Sequence, residues 1–103
     1  MRNVVGPVLR MCDEIEQVLA AIEDDNPGRM ITVVDQGAYV RVEGEGIVTV
    51  TQASLRRYLG VDYEIRSFGA LMSAFRGRIV TTSESITWES VSRETPVTKE
   101  STR

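Results

Sequence analysis

Asp25-Asn26-Pro27-Gly28-Arg29-Met30-Ile31-Thr32-Val33-Val34-Asp35-Gln36-Gly37-Ala38-Tyr39-Val40-Arg41 is the stretch from which the fold can be read. Asn26-Pro27-Gly28 is turn chemistry, since proline fixes its own φ and glycine accepts positive φ. Met30 to Val34 is apolar and β-branched, which suits a strand. Asp35-Gln36-Gly37 reverses the chain, and Ala38 to Val42 then alternates. Ala38, Val40 and Val42 share one face, and Tyr39 and Arg41 the other. A hairpin with one apolar face is not stable alone in water, so the flanking segments must cover it.

Upstream, Asp13 and Glu16 have the spacing of a capping box. Ile15, Val18, Leu19 and Ile22 recur at i, i+3, i+4 and i+7, predicting an amphipathic helix whose stripe covers the hairpin. Glu14, Glu16, Gln17 and Glu23 fall on its other faces, and Pro27-Gly28 stops it soon after Asp24. Asn3 to Arg10 is extended, and Pro7 predicts an edge strand or a broken one. Downstream, Ile47 to Val50 reads as a strand. Thr51 caps a short helix carrying Leu55, Tyr58 and Leu59, which Gly60 ends in the left-handed conformation with Val61 as the apolar contact beyond it. After a loop over Asp62 to Arg66, a second helix is predicted from Ser67, with Phe68, Leu71, Met72 and Phe75 in its stripe and Gly77 at its end. Gly69 weakens it by about 1 kcal/mol relative to alanine. Arg78 to Thr82 and Ser85 to Glu89 form a last hairpin with Ile86 and Trp88 on one face. The fold class is therefore α+β: two strand–helix–strand–strand units packed into one compact domain over residues 1–90. Residues 91–103 hold too few apolar side chains to offset ordering entropy and are expected to form a disordered, mobile tail.

Composition excludes several functions. The 103 residues carry a net charge of −3, and the arginines are scattered rather than interleaved with aromatics, unlike a nucleic-acid-binding surface. Arg56-Arg57 with Arg76 and Arg78 could converge as a protein contact or form a solvated face. No apolar run reaches membrane-spanning length and no signal peptide is apparent. Cys12 is the only cysteine, so no internal disulfide forms and a reducing, cytoplasmic setting fits. The chain has no histidine. That removes the usual neutral-pH proton shuttle, the base for a Ser or Cys nucleophile and the commonest zinc ligand. Gly44-Glu45-Gly46 is a turn rather than a phosphate loop. The expectation is a chain that is not an enzyme and holds no cofactor or metal.

Asn3-Val4-Val5-Gly6-Pro7-Val8-Leu9-Arg10, then Asp25-Asn26-Pro27-Gly28, Ile31-Thr32-Val33, Asp35, Ala38-Tyr39-Val40-Arg41, Leu59-Gly60 and Phe75-x-Gly77-x-Ile79 occur in this order. Over residues 3 to 90 the chain resembles the effector, or coupling, proteins of soluble diiron monooxygenases: the regulatory components of methane, phenol, toluene and alkene monooxygenases, most of all the toluene and alkene members. The resemblance implies a cofactor-free α+β protein, a monomer when free. Such a protein binds the hydroxylase oligomer over the helices that carry the diiron centre. It alters turnover, coupling and regiospecificity of hydrocarbon (aromatic or alkene) oxidation in concert with ferredoxin and reductase components. It also implies that Ala70–Phe75 lies near the hydroxylase surface above the active-site cavity. Leu71 and Ala74 stand where some relatives are polar, so substrate gating is not among the implied properties. Nor is tail-dependent control, because the matched pattern starts at Asn3.

The candidate hydroxylase-binding residues are Asn3, Asn26, Pro27, Gly28, Tyr39, Arg41, Leu71, Ser73, Ala74 and Phe75. Each has a plainer reading. Asn3 could cap a turn, and Asn26-Pro27-Gly28 is first of all a turn. Tyr39 and Arg41 suit interface anchors but also suit a cross-strand contact on a solvated face. Phe68, Leu71, Met72 and Phe75 could be core, leaving Ser73 and Ala74 for close contact. Two rival functions remain at this point: a small-ligand-sensing regulatory module of ferredoxin-like type, and an enzyme working with carboxylates alone.

Overall fold

The first half comprises β1 (Val4–Arg10), α1 (Ile15–Asp24), β2 (Thr32–Asp35) and β3 (Tyr39–Glu45) in a computed structural model that describes residues 3–91. The second comprises β4 (Ile47–Thr51), α2 (Gln52–Leu59), α3 (Ile65–Leu71), β5 (Met72–Arg76), β6 (Arg78–Thr81) and β7 (Ser85–Glu89). The strands form two antiparallel sheets, ordered β2-β3-β1-β5 and β4-β7-β6. The two expected units are present, but the second carries an insertion, α3 with β5, and β5 joins the first unit's sheet. The expected tail lies, from Ser92 on, outside the described residues.

One core joins both sheets and the helices. Val5, Leu9, Val40 and Val42 enter it from the first sheet, and Val48, Val50, Ile86 and Trp88 from the second. Ile15, Val18 and Ile22 of α1 are buried as their spacing requires, whereas Leu19 is half-buried. Phe68 of α3 meets Trp88 of β7 with ring centroids 5.9 Å apart and planes tilted by 56°, a favourable aromatic geometry. The hairpin β2–β3 turns as expected: Gly37 has φ +85°, and its N–H donates to Asp35 Oδ1 at 2.9 Å. Cys12 is half-buried against the core.

Several expectations are corrected. No capping box forms: α1 starts at Ile15 after Glu14, and no side chain caps it. Helix α1 packs chiefly against α2 and β4 rather than against the hairpin β2–β3. Ala38 precedes β3 and is exposed. Thr51 does cap α2, its Oγ1 accepting the Ser54 N–H at 3.1 Å. The helix ends at Gly60 with φ +114° and ψ 157°, which is extended rather than left-handed helical, and leaves Tyr58 and Val61 exposed.

Strand β1 is not an edge: it lies between β3 and β5. Pro7 is accommodated because the β1–β3 ladder pairs at Val4, Val5, Val8, Leu9 and Arg10 and skips Gly6-Pro7. Gly6, at φ +141°, approaches β3 so closely that a Cβ would collide with the Val42 carbonyl.

The largest departure is the helix expected from Ser67 to Gly77. The chain is helical only to Leu71, and Met72 turns extended at φ −80°, ψ 121°. Without β5, the second edge of β1 would present unpaired backbone groups. The ladder to Met72–Arg76 satisfies them, outweighing a helical periodicity already weakened by Gly69.

A candidate partner-docking face

Alternation along β1 and β3 sends Val5, Leu9, Val40 and Val42 inward and turns Val8, Arg10, Tyr39, Arg41 and Glu43 to the other face of the four-stranded sheet. Register aligns them across strands. Val34 of β2 lies opposite Arg41, Arg41 opposite Val8, and Val8 opposite Ala74 of β5. Tyr39 lies opposite Arg10. The face is open to solvent: Tyr39 is 43 % exposed and the Arg41 side chain 41 %. Arg41 Nε stands 2.7 Å from Glu43 Oε2, two residues along the same strand face. The contact is an ion pair without hydrogen-bond alignment, and it lies beside a shallow cleft that Val8, Phe75 and Arg76 also line.

Register therefore brings three sequence-predicted residues together on this face, Tyr39, Arg41 and Ala74, while Phe75, paired with buried Pro7, has the opposite parity and borders the face only at the cleft by the β5 edge. Ser73 occupies the irregular step in the β1–β5 register, and its hydroxyl donates to the Val8 carbonyl at 3.3 Å. Asn3 is exposed at the start of β1 and lines a separate cleft with Arg76 and Gly77. Leu71 is half-buried against the core at the end of α3. Pro27 and Gly28 are exposed but stand apart, at the far end of β3, where Arg29 donates to the Glu45 carbonyl at 3.2 Å.

Asn26 is the exception. It is 5 % exposed, and its carboxamide is spent inside the fold. Nδ2 donates to the carbonyls of Ile22 at 2.6 Å and Thr49 at 2.8 Å, while Oδ1 accepts the Thr49 N–H at 3.0 Å. Its neighbour Asp25 accepts the Thr51 N–H at 2.7 Å and the Ser54 hydroxyl at 2.7 Å. Asp25-Asn26 is thus a clasp tying the end of α1 to β4 and α2, and Asn26 has no group left for a partner.

Sequence reading missed Val8, Arg10, Val34 and Arg76 on this face. The period-two alternation of β1 pointed to Val8 and Arg10. Arg76 was hidden by the helical reading of its segment. The four arginines considered as a cluster are separately engaged: Arg56 donates to the Tyr63 carbonyl, Arg57 pairs with Asp24, and Arg78 pairs with Glu89, leaving Arg76 on the sheet face. Charge is segregated. Arg10, Arg41 and Arg76 rise from the open sheet, while Asp13, Glu14, Glu16, Glu23 and Asp24 are exposed on and just before α1. Among the described residues no three His, Cys, Asp or Glu side chains converge as metal ligands, and no helix is long and apolar enough to cross a membrane. What the arrangement offers chemically is contact: a rigid sheet face bearing Tyr and Arg, with Phe at its border, the residue types enriched where binding energy concentrates.

The chain is 35% identical over 86 residues to the effector subunit of the alkene monooxygenase system of Xanthobacter autotrophicus (strain ATCC BAA-1158 / Py2), covering 84% of this chain and 85% of that protein. Its fold matches a chain of the phenol hydroxylase–regulatory protein complex with a TM-score of 0.72 at 19% identity, over 84% of this chain and 97% of the other. It also matches the soluble methane monooxygenase regulatory protein B, with a TM-score of 0.66 at 23% identity over 92% and 70% of the two chains. The MmoB/DmpM family model matches residues 3–89, nearly every residue described above. From Asn3 to Glu89 the chain thus carries both the sequence and the fold of one lineage, and it belongs to the MmoB/DmpM family.

Proposed function

We propose that this protein docks on the hydroxylase of a soluble diiron monooxygenase through the open face of its four-stranded sheet, in the cytoplasm, and raises the rate and coupling of hydrocarbon oxidation. It is an effector, or regulatory, subunit and not the catalytic one; the observation that carries this is the 35% identity to an alkene monooxygenase effector subunit over 84% of the chain. The small-ligand-sensing and carboxylate-enzyme readings have no comparable support.

A protein without catalytic groups controls a reaction by binding one state of its partner more tightly than another. A differential affinity of about 1–3 kcal/mol shifts the partner's equilibrium roughly 5–150-fold. Tyr39 supplies contact area, Phe75 adds to it where it borders the cleft, and Arg41 carries a charge paired with Glu43. Arg10 and Arg76 extend that positive character, which suits a partner surface with exposed carboxylates. Ser73 and Ala74, being small, permit close backbone approach. Covering the partner's surface above a reactive centre also excludes water from it.

The test is reconstitution. Hydroxylase, reductase and ferredoxin from the same system are assayed with increasing amounts of this chain. Product formation should rise to a plateau near stoichiometric ratio, with less peroxide released per electron consumed. Unchanged rate and unchanged peroxide at saturating ratios would refute the proposal.

A further inference from the structure

Away from the open sheet, a cavity of about 540 Å³ lies between the start of α2, helix α3 and the β6–β7 hairpin. Ile65, Gly69, Met72, Ile79 and Ile86 line it together with Gln52. It is a half-open cleft, and most of the surface lining it is apolar. Two features keep it open. Gly69 has no side chain, and a Cβ built there would meet no heavy atom within 4 Å. The chain leaves the helix at Met72 to join the other sheet, so α3 never closes down on the hairpin. Met72 and Ile79 remain only half-buried as a result.

One polar group in the lining is fixed. Gln52 Oε1 accepts the Ile65 N–H at 2.8 Å, which sets the orientation of the carboxamide. With the oxygen engaged, Nε2 is the donor this carboxamide can offer a ligand. An apolar chamber with a few oriented polar groups, in the range of about 300–1,000 Å³, is the usual form of a small-molecule site. Glu64 and Arg66 also line it, but they are exposed and paired with each other at 3.1 Å, so the two charges offset one another and the aliphatic lining favours a neutral ligand.

We propose that this cavity binds a small, neutral, predominantly apolar molecule carrying one hydrogen-bond acceptor. Its body packs on Ile65, Met72, Ile79 and Ile86, and its acceptor receives the Gln52 Nε2 hydrogen. The site is independent of the docking face and of the effector reading, and it is tested on the isolated full-length chain.

Amide NMR spectra are recorded while cyclohexanone, which has an acceptor, or cyclohexane, which has none, is added. Saturable shifts are expected at Ile65, Gly69, Ile79 and Ile86, with cyclohexanone bound about five-fold more tightly, the scale of one net hydrogen bond. Gly69→Leu fills the cavity from a helical position that accepts leucine, and should abolish the shifts with both probes. Gln52→Glu keeps the acceptor for the Ile65 N–H but removes the donor, and should erase the preference for cyclohexanone. Absence of saturable shifts at these amides, persistence of the shifts in Gly69→Leu, or an unchanged preference in Gln52→Glu would each overturn the proposal.

Discussion

Replacing Asp25 by alanine should unfold the protein far more easily without touching the open sheet face proposed for docking. Its carboxylate accepts two short bonds, from the Thr51 N–H and the Ser54 hydroxyl, and the Thr51 hydroxyl also lies 3.1 Å from Oδ2. Ser54 is 4 % exposed, so its hydroxyl would find little water in compensation. Hydrogen bonds to a charged group contribute about 1.5–3 kcal/mol each, and a donor left buried without a partner costs about 1–3 kcal/mol. Because Asp25 is itself only half-buried, the lower ends apply, and Asp25→Ala should cost about 3 kcal/mol. With a urea slope of about 1 kcal/mol/M for a chain of this size, the midpoint should fall by about 2–3 M with the slope unchanged. Asp25→Asn keeps an acceptor oxygen and should cost about 1 kcal/mol. Equilibrium urea unfolding followed by far-UV circular dichroism measures both. A loss below about 1 kcal/mol for Asp25→Ala, or equal losses for the two variants, would refute the clasp as a stabilising device.

Other expectations follow from the same geometry. Tyr39→Ala and Arg41→Ala should each weaken hydroxylase binding at least about ten-fold while moving the urea midpoint little, the reverse of the Asp25 variants; titration calorimetry with the hydroxylase decides this. Gly6→Ala places a Cβ against the Val42 carbonyl at φ +141° and should cost about 3 kcal/mol or more, read by the same urea unfolding. Burial, then Glu14, then Cys12 raise the Tyr63 phenol above the ordinary value of 10.0. The fold therefore favours the neutral phenol, and that contribution is complete below pH 10 and lost as pH rises through the folded-state value. Thermal melts between pH 9 and 11.5 should show a decline that Tyr63→Phe reduces.

Much of the local pattern was legible, although the capping box at Asp13 and the left-handed ending at Gly60 did not form. Ile15, Val18 and Ile22 of α1, Val40 and Val42 of β3, Thr51 as a cap, and Ile86 and Trp88 of the last hairpin all follow from spacing within a few residues. Long-range pairing was not legible. Phe68, Leu71, Met72 and Phe75 keep helical periodicity, yet residues from Met72 on become a strand because β1, more than sixty residues earlier, has an open edge. The same holds for Asp25-Asn26, which reads as the start of a turn. Its partners Thr49, Thr51 and Ser54 lie 23 to 29 residues downstream, and no local rule brings them near. The open sheet face was legible where it rests on β3, through the alternation that turns Tyr39 and Arg41 outward, and misread where it rests on β5, since Ala74 reaches it as a strand residue rather than a helical one.

Hydroxyl-radical footprinting of the chain with and without its hydroxylase tests the docking face most directly, because the molecule contains its own control. Tyr39 lies on the open sheet and Phe75 borders its cleft at the β5 edge, whereas Tyr58, comparably exposed, lies on α2 beside Asp24 of α1. Docking through the sheet predicts that oxidation of Tyr39 and Phe75 falls several-fold in the complex while that of Tyr58 is unchanged. Protection of Tyr58 with Tyr39 and Phe75 still fully reactive would place the partner on the helical side and contradict the account.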